Sequence, residues 1–204
     1  HIHFEKPVDG ENVLSIIKRE RLEPNDIDAL YKNNDSRHVP CLVELNNEEK
    51  PELSEKSVVI AIGGAKGITF SLIKKISLQY KPILYLVGRS PESHELVKKN
   101  INILLAKNPN IYYRSIDATD YSSLEKLFRE VTEKHNKIDL IINGAGVVSV
   151  GFFIKIGKKE IDYEFYNKVL PAFNVLQLSL KYKPKKIINF SSLVAEYGAI
   201  GQSI

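Results

Sequence analysis

Methionine and tryptophan are absent from this chain of 204 residues, and cysteine occurs once, at Cys41. A single thiol excludes an internal disulfide framework and a cysteine-based metal cluster, and it fits a reducing cytosol; a cytoplasmic protein without a metal site is expected. No apolar run approaches the roughly 20 residues that span a bilayer, and no signal peptide is recognisable, so no membrane partner is expected. Without methionine there is no initiator, which predicts a piece of a longer polypeptide. The formal net charge of +4 is spread over interspersed lysines and not gathered in a block. That is a generic basic surface, and no nucleic-acid partner is expected from it.

What is present is regular. The 43% of hydrophobic positions are enough for one well-buried domain. Residues 1–50 are polar without a sustained period and read as a connector, or as the tail of a preceding structural subdomain. They offer a short helix at "ENVLSIIKRE" and a short strand at "PCLVEL". Within residues 51–204, from Ser57 onward, apolar runs rich in valine and isoleucine alternate with longer amphipathic segments. The pattern predicts strands at 57–62, 83–87, 111–116, 138–143 and 186–191, with helices at 67–80, 94–107, 121–136 and 158–182. Strands apolar on both faces imply a parallel sheet covered by helices on each side. The expected fold is therefore α/β, a doubly wound Rossmann-type sheet truncated after its fifth strand, with ligands bound outside the carboxyl ends of the strands. A bare parallel edge calls for cover, so further chain is expected after Ile204.

In "GGAKGIT" (63–69), Gly63 and Gly64 allow a sharp turn at the end of the first strand, and Gly67 lets amides at the helix start approach a pyrophosphate. Ala65, Lys66 and Ile68 complete this cofactor-binding loop. A plain tight turn is the alternative. Thr69 stands where the usual dinucleotide fingerprint has its third glycine, which questions how closely helix and sheet approach. The second strand ends in "LYLVGRSP", offering Arg89 and Ser90 where an NAD site usually has a carboxylate. Arg89 can clamp a 2′-phosphate with its fork of donors, and Lys66 adds charge on the same side; the pair favours NADPH. After the third strand, Asp117 and Ala118 of "SIDATD" are placed to meet the adenine, and Asp120 to cap the next helix.

The succession GGAKGI, GRS, DATD, NGAG and FSSL, from about Cys41 to Ile204, resembles the short-chain dehydrogenase/reductases. More closely it resembles the ketoreductase domains of modular polyketide synthases and polyunsaturated fatty-acid synthases, the threonine of "GGAKGIT" pointing to the latter branch. The resemblance implies NADPH-dependent reduction of a 3-ketoacyl thioester, carried on an acyl carrier protein, to the 3-hydroxyacyl product, with other synthase domains as partners. It adds Asn143, Ala145 and Gly146 of "INGAGVV" to the cofactor-binding set. Family chemistry uses a tyrosine as proton donor, a serine holding the carbonyl and a lysine that eases proton loss from the tyrosine. "KVLPAFNVL" resembles the synthase segment "KVxGAxNL", which makes Lys168 the candidate lysine, or else a surface lysine. Pro171 replaces the glycine of that segment and is positioned to kink the helix.

Ser192 follows Lys168 by 24 residues, as in the synthase ketoreductases, and is the candidate catalytic serine; Ser191 is expected to point away along the strand. The family spacing puts the tyrosine one position beyond Ile204, with asparagine one helical turn later, and leaves Tyr197 as a packing or lid residue. "VVSVG" departs from the family element associated with hydride face, so product stereochemistry is unread. Two other readings stand: a non-catalytic dinucleotide-binding module of a synthase, and a free-standing reductase of a small ketone.

Overall fold

The computed structural model describes residues 2–22, 29–32, 36–39, 41, 53–147, 156–192 and 194. The chain divides into two units, His1–Lys50 and Pro51–Ile204.

The first unit carries a small sheet and one helix, the helix falling at the expected "ENVLSIIKRE". Strand β1 (Ile2–Phe4) pairs in parallel with β2 (Ala29–Tyr31), which pairs antiparallel with β3 (Arg37–His38). Helix α1 (Gly10–Glu20) is capped by Asp9, whose Oδ1 accepts from the amides of Glu11 and Asn12 at 3.1 and 3.0 Å. Ile16, Ala29 and Tyr31 form its small core, with Ile2 and Phe4 against it. Glu20 ties the pieces together, accepting from Tyr31 Oη at 2.6 Å and from Arg37 Nε and Nη2 at 2.6 and 3.0 Å. The Arg37 fork, then the tyrosine hydroxyl, hold its carboxyl at about 2. The strand expected at "PCLVEL" falls outside the described residues except for Cys41, which is exposed and in no strand.

The second unit is a parallel five-stranded sheet. Its strands are β4 (Val58–Ile62), β5 (Ile83–Gly88), β6 (Ile111–Ser115), β7 (Leu140–Asn143) and β8 (Lys186–Asn189), in the order β6-β5-β4-β7-β8. The helices between them are α2 (Gly67–Tyr80), α3 (Glu95–Leu105), α4 (Tyr121–His135) and α5 (Lys158–Tyr182). Side-chain alternation along β4 sorts the core into two layers. Val58, Ile60 and Ile62 meet Leu124, Phe128 and Leu178 of α4 and α5, whereas Val59 and Ala61 meet Ile73, Val97 and Leu104 of α2 and α3. Every β4 residue is buried, which is why its apolar run is unbroken. Because successive strands step outward from β4 in both directions, the connections leave a crevice at the carboxyl ends of β4 and β7.

Asp120 is the N-cap of α4, its Oδ1 accepting from the Ser123 amide at 3.2 Å. Helix α5 runs through Pro171, so the expected kink does not end it. The proline removes only the amide that would otherwise bond to the Asn167 carbonyl. Among the described residues, no helix is long and apolar enough to cross a membrane.

Candidate functional site

The carboxyl ends of β4, β5, β7 and β8, with the start of α2 and the middle of α5, enclose a cleft of about 1140 Å³. Single-ligand pockets run to roughly 1,000 Å³, so this one suits a long ligand. Of the sequence-predicted positions, Gly63, Ala65, Lys66, Gly67, Ile68, Arg89, Ser90, Asp117, Ala118, Asn143, Ala145, Gly146, Lys168 and Ser192 all line it.

Gly64 does not. A Cβ there would lie 2.8 Å from the Ala61 side chain and 3.1 Å from Leu86 Cδ2, so its small size serves the packing beneath the loop. Gly63 and Gly67 adopt φ of +74° and +60°, a region that disfavours side chains. A Cβ on Gly63 would also meet the Gly144 carbonyl at 2.8 Å, which lets the glycine loop lie against the β7 turn. Thr69, which left the closeness of helix and sheet in question, is buried at that approach. A Cβ on Gly144 would come within 2.1 Å of Thr69 Oγ1, so the missing third glycine is made good from the other side of the contact.

Lys66 occupies the N-cap position of α2 in extended conformation, and its side chain leaves the first-turn amides facing the cleft. Its ammonium instead reaches the end of β5, donating to Ser90 Oγ at 2.7 Å. Arg89 Nη1 donates to Asn167 Oδ1 on α5 at 2.6 Å. Both cations are thus held by neutral oxygens at one end of the cleft. Asp117 sits on the rim, its Oδ1 accepting from the Thr119 amide and hydroxyl at 3.0 and 2.9 Å.

Four buried side chains that the sequence pattern did not single out for these contacts fix the loops. Asn100 Nδ2 donates to the Ala65 carbonyl at 2.8 Å. Asn174 Nδ2 donates to the carbonyls of Ala118 and Thr119 at 2.9 and 3.0 Å. Tyr113 Oη donates to the carbonyls of Ser90 and Gly88 at 2.6 and 3.2 Å, and burial raises its pKa. Asn143 Nδ2 donates to Asn189 Oδ1 at 3.1 Å across β7 and β8. Asn143 and Asn174 stand inside "INGAGVV" and "KVLPAFNVL", though neither segment by itself reveals these contacts; for Asn100 and Tyr113 the only sequence signal is an amide or hydroxyl in a partly apolar segment.

Lys168 faces the cleft from α5 and pairs with Glu164 one turn earlier, whose side chain is fully buried. Ser192 Oγ accepts from the Val194 amide at 3.2 Å. Ser191 lines the same wall, because β8 ends at Asn189 and the alternation expected to turn it away stops there. Tyr197 and most of "VVSVG" lie outside the described residues.

The family model for short chain dehydrogenase matches residues 57–204. Polyketide synthase PksN of Bacillus subtilis (strain 168) is 25% identical over 198 residues, 95% of this chain and 4% of that protein. The 3-oxoacyl-[acyl-carrier-protein] reductase FabG of Chlamydia pneumoniae is 24% identical over 149 residues, 71% of this chain and 58% of that one. The crystal structure of a ketoreductase domain from the bacillaene assembly line superposes with a TM-score of 0.83 at 24% identity, covering 98% of this chain and 48% of that one. The chain therefore spans a small fraction of the synthases it matches and about half of the ketoreductase structure. With the glycine loop, the parallel sheet and most of the chain inside the matched span, this protein belongs to the short-chain dehydrogenase family.

Proposed function

We propose that this chain is the NADPH-binding part of a ketoreductase that reduces a 3-ketoacyl thioester, presented on an acyl carrier protein within a synthase, to the 3-hydroxyacyl thioester. The observation that carries the reading is one cleft lined by a phosphate-type glycine loop, two cations at the end of β5, and both Lys168 and Ser192. The likeness to synthase proteins over 95% of the chain supports the synthase context.

The residues fit the cofactor. The loop from Gly63 to Ile68 presents helix-start amides to its pyrophosphate, Arg89, Lys66 and Ser90 receive a 2′-phosphate, and Asp117 with Ala118 borders the adenine. Asn143, Ala145 and Gly146 form the wall toward the reacting end. When bound, the nicotinamide supplies the hydride. Reduction of a ketone builds negative charge on its oxygen, and donors already in place lower that barrier. Ser192 serves as such a donor through its hydroxyl. Lys168 places a positive charge beside the proton donor expected from the family spacing, easing loss of its proton.

The test is turnover by the intact gene product, followed through nicotinamide absorbance with a 3-ketoacyl thioester and either NADPH or NADH. Faster reduction with NADPH is expected. Equal rates with the two cofactors sink the phosphate clamp, and no reduction with either sinks the activity.

A further inference from the structure

Among the described residues, Glu164 is a buried carboxylate next to a cleft-lining lysine that the proposed reaction leaves without a role. Its side chain is wholly buried, yet it lies only one helical turn before Lys168 and forms an ion pair with it. A carboxylate in an apolar interior is strongly unfavourable unless charge and hydrogen bonds meet it, so a chain keeps one there at a cost. The order glutamate then lysine at i and i+4 is the favourable one on a helix, so the pair forms within α5 itself. Lys168 is half-exposed and faces the cleft. A lysine side chain has four rotatable carbons and a compact charge that otherwise wanders through solvent. One end of this pair is thus anchored in the protein interior and the other in the cleft.

We infer that Glu164 is a positioning residue: its buried carboxylate holds the Lys168 ammonium at the reacting end of the cleft. The inference rests on the reading of Lys168 as the active-site lysine. Glu164 touches neither substrate nor cofactor in this scheme and acts only through Lys168. Nothing in the motif "KVLPAFNVL" includes it, since it lies upstream of the lysine.

The experiment is a double-substitution cycle on the intact gene product, with Glu164→Gln, Lys168→Met and both together, measuring kcat and KM for a 3-ketoacyl thioester and Kd for NADPH by fluorescence. Glu164→Gln keeps the shape and removes the charge. Its kcat is expected to fall roughly tenfold to a hundredfold, the size of a misplaced group, with KM for the thioester nearly unchanged. Lys168→Met falls at least as far, and the double variant falls no further than Lys168→Met alone. Partial recovery in Glu164→Asp supports the same conclusion. Wild-type kcat in Glu164→Gln beside an impaired Lys168→Met overturns the inference and leaves the lysine's role standing, as does a double variant clearly slower than Lys168→Met. Wild-type kcat in Lys168→Met overturns both. Should Glu164→Gln not fold alone, the double variant against Lys168→Met decides by the same criterion.

Discussion

The two ends of the parallel sheet use the same side chains to opposite effect. At the amino end, Asp139 just before β7 accepts from the Val58 amide at 2.9 Å and pairs with both Lys137 and Lys185 at 2.8 Å. Burial opposes its charge, and the two lysines and the amide outweigh burial and hold its carboxyl at about 2. Positive charge there is spent on a carboxylate, and strands β4, β7 and β8 are locked together. At the carboxyl end, Lys66 and Arg89 rest on Ser90 and Asn167, whose oxygens are neutral, so their positive field remains for an incoming anion. A cation's partner therefore matters more than its presence: the two cations at the end of β5 rest on neutral oxygens, while Lys168 in the same cleft pairs with the buried Glu164.

Four substitutions put that contrast to the test. The largest effect is expected from Ser192→Ala at the carboxyl end. Its turnover on a 3-ketoacyl thioester should fall by about a hundredfold or more, the usual loss of one oxyanion donor, with NADPH affinity unchanged in a fluorescence titration. At the amino end, Asp139→Asn should leave turnover intact and lower stability by about 2 kcal/mol in urea unfolding at neutral pH. The sign follows from linkage. A carboxyl whose folded value is depressed to about 2 from 3.8 contributes stability above pH 4, which is lost as pH falls toward 2. The wild type should therefore lose that increment on acidification, and Asp139→Asn should not.

Arg89→Ala comes next. It should weaken NADPH about tenfold, roughly 1.4 kcal/mol, and leave NADH unchanged; equal losses for both cofactors would detach Arg89 from the 2′-phosphate. The smallest is Gly144→Ala, expected to cost about 1 kcal/mol by crowding Thr69. Thr69→Gly in the same chain should recover it, since the two residues share one contact. A Gly144→Ala protein as stable as wild type would show that helix and sheet can part there freely.

Much of the second unit was legible because its physics is local. The strands at β4 and β5 are apolar throughout, and helices α2 and α5 begin and end where the periodic pattern does. In the first unit the helix at "ENVLSIIKRE" was legible and is α1, whereas strands of two or three residues such as β1 and β3 are too short to show a period. In the cleft, the glycine loop announced itself through residues that only a turn and a close approach require. Asn100 did not, and Asn174 stood in "KVLPAFNVL" without its contact being readable, since both act on carbonyls far away in sequence. The Thr69 and Gly144 exchange escaped for the same reason. A fingerprint scanned along one loop cannot report a vacancy supplied by another strand.

The buried amides and the tyrosine that pin Ala65, Ala118 and the Gly88–Ser90 turn have a thermodynamic consequence. Segments already tied to the scaffold lose little conformational freedom when a ligand arrives, so the ordering cost of binding is met at folding. Calorimetry of dinucleotide binding should then register these segments mainly as a negative heat-capacity change from buried apolar surface, with only a small signal from loop ordering.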